Sequence, residues 1–510
     1  MEYQNPILPG FHPDPSVCRV GGDFYLVNSS FEFFPGVPLY HSRNLADWEL
    51  LGYCLNTEEQ LNLKEAHASG GIYAPTIRWH EGVFFMTTTN VSDRGNFIVH
   101  TRNLSEGWSE PCWVEQGGID PSLFFDDDGT VYFLSTGNRQ DGTCMIQMCE
   151  VDPFSGKQLT PSIDISLGCG GKFPEGPHIY KRDGYYYLML AEGGTEYGHM
   201  ETIQRAPTPY GPYEPCPSNP ILTHRDDSRG EIFCTGHGDL VEDQNGNWWM
   251  VCLGTRCLHG AYAPLMQHHL GRETFLAPVI WDEDGWPAVG ENGKISPVMD
   301  GPLPAPGQSG KCDEFVDCFE EKNFDLCYNF LRNPKMEQYV RDSQHGELLL
   351  KGNGISLNDG KNPTWLGIRQ SEFNMCAETI LSLKQKTGKT LAGLTAFYNE
   401  NYHYEIYLTR EPEGCFVCLA KHVHDIFVVT EKRKIESDQK IHLWIESDEQ
   451  QYRFYYGLDQ EERELLGTAL PSGLASEGTC TMTFTGTYIA MFAECGEAAF
   501  QYFKCKFQRG

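Results

Sequence analysis

In the first 300 residues, one alternation of polar turn and apolar strand recurs five times. The copies are Gly21-Gly22-Asp23-Phe24-Tyr25, His80-Glu81-Gly82-Val83-Phe84-Phe85, Asp127-Asp128-Gly129-Thr130-Val131-Tyr132, Arg182-Asp183-Gly184-Tyr185-Tyr186-Tyr187 and Gln244-Asn245-Gly246-Asn247-Trp248-Trp249. Each predicts a β-hairpin, because a turn glycine is followed by residues that suit a pleated, half-buried surface. The glycines at 22, 82, 129, 184 and 246 are spaced by 60, 47, 55 and 62 residues. That spacing is what a four-stranded propeller blade with its loops needs, so five copies predict five blades. A looser echo follows in Ser42-Arg43-Asn44-Leu45-Ala46-Asp47-Trp48, Thr101-Arg102-Asn103-Leu104-Ser105-Glu106-Gly107-Trp108 and Thr208-Pro209-Tyr210-Gly211-Pro212-Tyr213. These segments read as outer strands or their connections. An irregular β-sandwich with chance repetition is the alternative, and the repeat argues against it.

From Gly301 to Gly310 the chain is rich in Pro and Gly, which marks a linker, taken here as 301–312. Beyond it, Glu347-Leu348-Leu349-Leu350-Lys351, Tyr404-Glu405-Ile406-Tyr407-Leu408, Ile441-His442-Leu443-Trp444-Ile445 and Thr479-Cys480-Thr481-Met482-Thr483-Phe484 alternate like strands. A β-sandwich over 313–510 follows. The fold class is therefore all-β: a five-bladed β-propeller over 1–300, then a β-sandwich.

Composition narrows the chemistry. Of 510 residues, 39 are Lys or Arg and 70 Asp or Glu, a net charge of −31, which repels phosphate backbones and anionic membrane surfaces. Neither nucleic acid nor a membrane is an expected partner. Met1-Glu2-Tyr3-Gln4-Asn5-Pro6 has no basic or apolar leader, and no apolar run reaches 18 residues. The 19 cysteines are odd in number and lie in apolar runs such as 145–149 and 415–418. Reduced thiols and a cytoplasmic location are expected. The single C-x-x-C, Cys415 to Cys418, lacks a second ligand pair for zinc. Asp126-Asp127-Asp128-Gly129 occupies a hairpin turn and reads as solvated.

Eight or nine residues upstream of the hairpin glycines stand Asp14, Ala74, Asp120, Glu175 and His237. In a propeller these innermost-strand positions face the central channel, which brings three carboxyl groups and one imidazole to a common axis. Clustered anions raise one another's pKa, an arrangement suited to a metal or to acid–base chemistry. Inverting glycoside hydrolysis needs one ionised and one protonated carboxyl roughly 6.5–9.5 Å apart. Well-separated blades of a five-bladed channel can supply that gap.

These residues resemble glycoside hydrolase family 43. The motifs that carry the resemblance are Asn5-Pro6-Ile7-Leu8 before His12-Pro13-Asp14-Pro15-Ser16, Ser29-Ser30-Phe31-Glu32-Phe33-Phe34-Pro35-Gly36-Val37, Ile119-Asp120-Pro121-Ser122-Leu123, Glu175-Gly176-Pro177-His178-Ile179-Tyr180 and Leu270-Gly271-Arg272-Glu273-Thr274. The resemblance implies that Asp14 is the general base, Glu175 the general acid, and Asp120 the carboxylate that orients Glu175 and holds its pKa up. It also implies that Arg272 contacts the sugar and the base, with a surface salt bridge to Glu273 or Asp282 as the alternative. Phe31 matches an aromatic wall, or else a core aromatic. His237 matches a channel histidine that holds a calcium ion or water, or else a neutral core histidine. No cofactor is required for the chemistry.

The second half resembles the concanavalin-like domain of the xylosidase branch, in which a sandwich loop closes the pocket. Phe484 is the candidate from that loop. An independent carbohydrate-binding module is the other reading of this half. Tyr73-Ala74-Pro75 stands where many xylosidase-type relatives carry Trp-Ala-Pro, a smaller ring that would favour arabinofuranose. The implied activity is exo-acting, inverting release of D-xylose or L-arabinose from oligosaccharides. The resemblance further implies that the chain forms a homo-oligomer. A non-catalytic sugar-binding propeller would not need all three acids. A retaining fructan-cleaving enzyme would carry Asn-Asp-Pro-Asn, which does not surround Asp14.

Overall fold

The computed structural model describes the chain apart from residues 228–229, 261–264, 308–313, 386–387, 437–438, 482 and 510. Every one of the five repeated hairpins forms the first turn of an antiparallel four-stranded path. Blade 1 runs through Ser16–Val20, Asp23–Val27, Gly36–Ser42 and Glu49–Leu55, and blade 2 through Thr76–His80, Val83–Asn90, Gly95–Thr101 and Cys112–Trp113. Blade 3 comprises Ile119–Phe125, Val131–Asn138, Cys144–Glu150 and Ile163–Ser166. Blade 4 comprises Glu175–Arg182, Tyr185–Glu192, Met200–Ala206 and Glu214–Pro215, with Leu222–Thr223 also on its third strand. Blade 5 comprises Ile232–Glu242, Trp248–Arg256, Glu273–Trp281 and Pro287–Val289. The second echo in the sequence falls on the connections between third and fourth strands of blades 1, 2 and 4.

Polar side chains on the innermost strands join each blade to the next. Ile77 N donates to Ser16 Oγ (3.0 Å), Thr76 Oγ1 to the Pro121 carbonyl (2.9 Å) and Ser122 Oγ to the Pro177 carbonyl (2.5 Å). Tyr180 OH (2.6 Å) and Ser16 Oγ (2.6 Å) both donate to Asp239, closing the circle from blade 4 to 5 to 1. Arg78 reaches across the channel to the same carboxylate with two hydrogen bonds (2.7 and 3.0 Å). Although burial opposes ionisation of Asp239, that guanidinium outweighs it and holds the carboxyl well below its usual range. Asp239 is wholly buried within this cluster, which draws on blades 1, 2, 4 and 5. At the outer seam, Glu2–Gln4 pairs with Val298–Asp300, and the Asn5 amide exchanges two 2.9 Å hydrogen bonds with the Leu276 backbone.

The Asp126 expectation is corrected. Asp127 and Asp128 are exposed, but Asp126 is buried, accepting from Lys181 Nζ (2.5 Å) and Tyr186 OH (2.8 Å) and so tying blade 3 to blade 4.

The second half is a two-sheet sandwich. One sheet is ordered Tyr339–Asp342, Glu347–Lys351, Glu497–Gln508, Asn374–Leu383, Ile441–Ser447, Tyr452–Gly457 and Glu464–Ala469, with Glu314–Asp317 on the far end of Glu497–Gln508. The other is ordered Thr364–Arg369, Tyr488–Cys495, Thr390–Asn399, Tyr402–Glu411, Gly414–Val423 and Ile426–Ile435. Leu394, Ile406, Leu443, Phe454, Met491 and Phe500 interdigitate between them. Three of the four strand expectations hold; the fourth does not. Residues 479–484 are loop, with Met482 outside the described residues. Residues 301–307 of the expected linker carry no strand or helix, and 308–312 lie outside the described residues. Every described cysteine is a free thiol.

The halves are fused. Phe330–Leu331 pairs with Phe33–Phe34, and Phe11, Phe31 and Phe33 pack against Leu331, Trp365 and Tyr488 in one apolar cluster. Thr487 N donates to the His269 carbonyl (2.8 Å). Gly271, at φ +94, meets Gly486 so closely that a Cβ on Gly271 would stand 2.9 Å from Gly486 Cα, while one on Gly486 would fall on the Leu270 carbonyl. Gly486→Ala will therefore push the sandwich loop away from the propeller. The expected outcome is a loss of about 1–3 kcal/mol in urea unfolding together with a raised KM, since the same loop carries Phe484.

Candidate active site

The channel residues are held by an irregularity repeated in four of the five blades. The regular ladder begins at Ser16, Thr76, Ser122, His178 and Asp239, and in blades 3, 4 and 5 a register shift lies immediately upstream. Two positions before those residues stand Asp14, Ala74, Asp120, Gly176 and His237. Four of the five adopt a left-handed backbone, with φ +50 at Asp14, +52 at Asp120, +56 at Gly176 and +49 at His237. A following Pro or Gly caps each kink, and such bulges commonly re-aim side chains at functional sites. By this register the blade 4 equivalent is Gly176, so Glu175 sits one residue upstream of the position that the sequence count assigned to it. The consequence is visible in burial: Asp14 and Asp120 are buried, whereas Glu175 is only half-buried. Glycine suits this place, because a Cβ there would stand 3.1 Å from the His237 ring and φ is +56.

Asp14, Asp120, Glu175, His237, Arg272, Phe31, Tyr73 and Phe484 all line one cavity of about 280 Å³, near the lower end of ligand-pocket sizes. Every site residue expected from the sequence is thus in one place. Arg272 grips both oxygens of Asp14, Nη1 to Oδ1 at 2.8 Å and Nη2 to Oδ2 at 3.3 Å. It also donates to Thr195 Oγ1 (3.1 Å) and the Phe484 carbonyl (3.2 Å). The alternative pairing with Glu273 or Asp282 is not formed; Glu273 is taken by Arg256 at 2.7 Å. Ser29 Oγ donates to Asp14 Oδ2.

Protonation differs around the ring. Burial, then the charge of Asp14, pushes Glu175 up to about 7, against the opposing pull of Arg272. Burial, then Glu175 and then Asp14, drives Asp120 well above the carboxylate range. Asp14 is the member locked in an ion pair. The site therefore offers a carboxylate ion-paired to Arg272 on blade 1 and a carboxyl raised to about 7 on blade 4, with Asp120 between them in chain order on blade 3. His237 is pushed down by burial and stays neutral, with Nδ1 4.0 Å from Asp14 Oδ1.

The far wall is aromatic. Phe31 stacks on Phe484 (centroids 5.7 Å, 24°) and tilts against Tyr73 (5.4 Å). Phe31 is thus both wall and core, since its other face meets Phe11 at 5.9 Å. Phe484 is fixed by its own N–H, which donates to Ser69 Oγ (2.9 Å), and Ser69 N donates to Glu32 (3.0 Å), a carboxyl pushed up to about 8 chiefly by burial. Ser29, Ser69, Thr195 and His199 were not singled out by the sequence reading. His199 lines the cavity with its Nδ1 2.9 Å from the Cys234 carbonyl and is pushed down to about 4 by burial.

The donor set around His237 does not match calcium, which takes six to eight oxygens. Asp14, 4.0 Å from its Nδ1, is already ion-paired to Arg272, and no group of three or more metal-binding side chains occurs among the described residues.

An enclosed ring of unequally protonated carboxyl groups beside an aromatic wall, on a five-bladed propeller, defines an acid–base glycosidase. Comparison with known proteins agrees. The model of glycosyl hydrolases family 43 matches residues 3–287, and the model of the beta xylosidase C-terminal concanavalin A-like domain matches 316–506. A non-reducing end alpha-L-arabinofuranosidase of Bacteroides ovatus is 39% identical over 96% of this chain and 91% of its own. A xylosidase/arabinosidase of Butyrivibrio fibrisolvens is 42% identical over 80% of each chain. A solved structure described as Bacteroides ovatus xyloglucan PUL GH43B superposes with a TM-score of 0.93 at 37% identity over the whole of both chains. The chain belongs to glycosyl hydrolases family 43 and is a glycosidase acting on oligosaccharides.

Proposed function

We propose that this enzyme removes single pentose units from the non-reducing ends of xylo- and arabinoxylo-oligosaccharides, with inversion at the anomeric carbon. The observation that carries the reading is the placing of Asp14, ion-paired to Arg272, and Glu175, raised to about 7 chiefly by burial, around one cavity. Asp14 takes a proton from water as it attacks the anomeric carbon; Glu175 gives its proton to the departing oxygen. The two come from blades 1 and 4, which are not neighbours, leaving room for the water between base and sugar. Asp120, itself driven well above the carboxylate range, lines the same cavity and positions Glu175. Phe484 with Arg272 closes the side facing the sandwich, so the pocket holds a chain end.

Relatives carry both xylosidase and arabinofuranosidase names. Tyr73, a smaller ring than Trp, supports a preference for the furanose. The test is hydrolysis of nitrophenyl α-L-arabinofuranoside and nitrophenyl β-D-xylopyranoside, with NMR of the first-formed sugar. Release of pentose in the inverted anomeric form, and its collapse in Asp14→Ala, is expected. A product of retained configuration, or full activity in Asp14→Ala, would overturn the assignment.

A further inference from the structure

Phe173 is the one pocket-lining aromatic that the catalytic reading leaves without a task. Phe173 is 51% exposed, and it belongs to none of the apolar clusters of the core. Its backbone is strained: φ is +52 immediately before Pro174, where a residue preceding proline favours extended values. A bulky side chain keeps such a conformation only when its surroundings impose it, and here they do. The fully buried carboxylate of Glu192 accepts from Cys169 N (2.6 Å), Gly171 N (2.5 Å) and Thr202 Oγ1 (2.7 Å), and Gly193 N donates to the Lys172 carbonyl (2.6 Å). A Cβ on Gly194 would touch the Phe173 ring at 3.5 Å, so the ring rests on glycine backbone. An apolar ring is thus presented to solvent by a tightly held loop, two residues from Glu175.

We propose that Phe173 is the platform for the leaving group, on which the sugar ring attached to the departing oxygen stacks. The assignment rests on the reading of Glu175 as the acid. Glu175 marks the side from which the leaving group departs, and Phe31, Tyr73 and Phe484 already form the wall of the pentose pocket. What hangs on the scissile oxygen must therefore pass over the rim, where Phe173 offers a flat apolar face and the exposed carboxylate of Glu196 an acceptor for hydroxyls. The substrate class that follows has a sugar ring, rather than a small alcohol, as its departing half.

The experiment compares wild type, Phe173→Ala and Phe173→Tyr on a pentosyl disaccharide and on the matching pentosyl fluoride, whose leaving group is too small to reach the ring. Phe173→Ala should lower kcat/KM on the disaccharide about tenfold, mainly through KM, the scale of one aromatic contact. It should leave the fluoride within about twofold, and Phe173→Tyr should restore the disaccharide. Equal losses on both substrates, or none on the disaccharide, would overturn the platform while leaving the pentosidase intact. A wild type that cleaves neither substrate would overturn the pentosidase reading and the platform with it.

Discussion

Glu175→Gln will lower kcat on an unactivated disaccharide by roughly 10²–10⁴-fold, the range for a lost general acid, yet spare much of the activity on a dinitrophenyl glycoside, whose leaving group needs no proton. Asp14→Asn will fail on both, because water must be activated whatever departs. The pH profile separates the two further. Glu175 works only while protonated and is raised to about 7, so the wild-type rate should fall as pH rises through that value; in Glu175→Gln this alkaline limb should vanish. The same shift has a cost in stability. Glu175 binds its proton more tightly in the folded chain than its ordinary 4.5 allows, so folding stability declines as pH climbs from about 4.5 to about 7. Glu175→Gln removes that penalty. Its Tm should match the wild type near pH 4 and exceed it at pH 8, and equal Tm values at pH 8 would mean that Glu175 is not raised.

The sequence made the propeller legible because each blade begins with a hairpin, and a hairpin is written locally in a turn glycine and the aromatic residues after it. The carboxyl groups were legible for the same reason, each lying beside a Pro or Gly and eight or nine residues before the hairpin glycine. The position of Glu175 was not, since a count of residues cannot register a bulge; only strand pairing reveals that Gly176 occupies the equivalent place. Thr479 to Phe484 alternates like a strand but has no edge to join. Its neighbour Tyr488–Cys495 already lies between Thr364–Arg369 and Thr390–Asn399. Its polar residues serve the loop instead, with Thr483 Oγ1 2.8 Å from Tyr398 OH. Asp126 looked solvated because its partners, Lys181 and Tyr186, come from the next blade. Ser69, Thr195 and His199 gave no local signal, and Ser29 stood in a motif without a role, since such a polar residue acquires meaning only from a partner distant in the chain. Ser69 is 415 residues from Phe484, whose N–H it accepts.

Arg272→Lys should disable the enzyme nearly as fully as Arg272→Ala, although it keeps the charge. The guanidinium makes four hydrogen bonds in three directions: two to Asp14, one to Thr195 in the blade 4 hairpin beside Glu175, and one to the Phe484 carbonyl in the sandwich. An ammonium is a point charge without that fork, so it can answer Asp14 or the two side contacts but not all of them. Both side chains of the ion pair are at most 7% exposed. Arg272→Ala strands a buried carboxylate, and breaking a pair of this kind costs about 3–5 kcal/mol of stability. Arg272→Lys should recover much of that stability, yet fall by about 10²-fold or more in kcat/KM, the scale expected when reacting groups are displaced by about an ångström. Urea unfolding read beside kcat/KM tests the separation. A lysine variant that regained both would reduce Arg272 to a counter-ion. One that regained stability alone would establish that the arginine sets the geometry between base, acid loop and closing domain, which is the reason that the sandwich is built into this pocket at all.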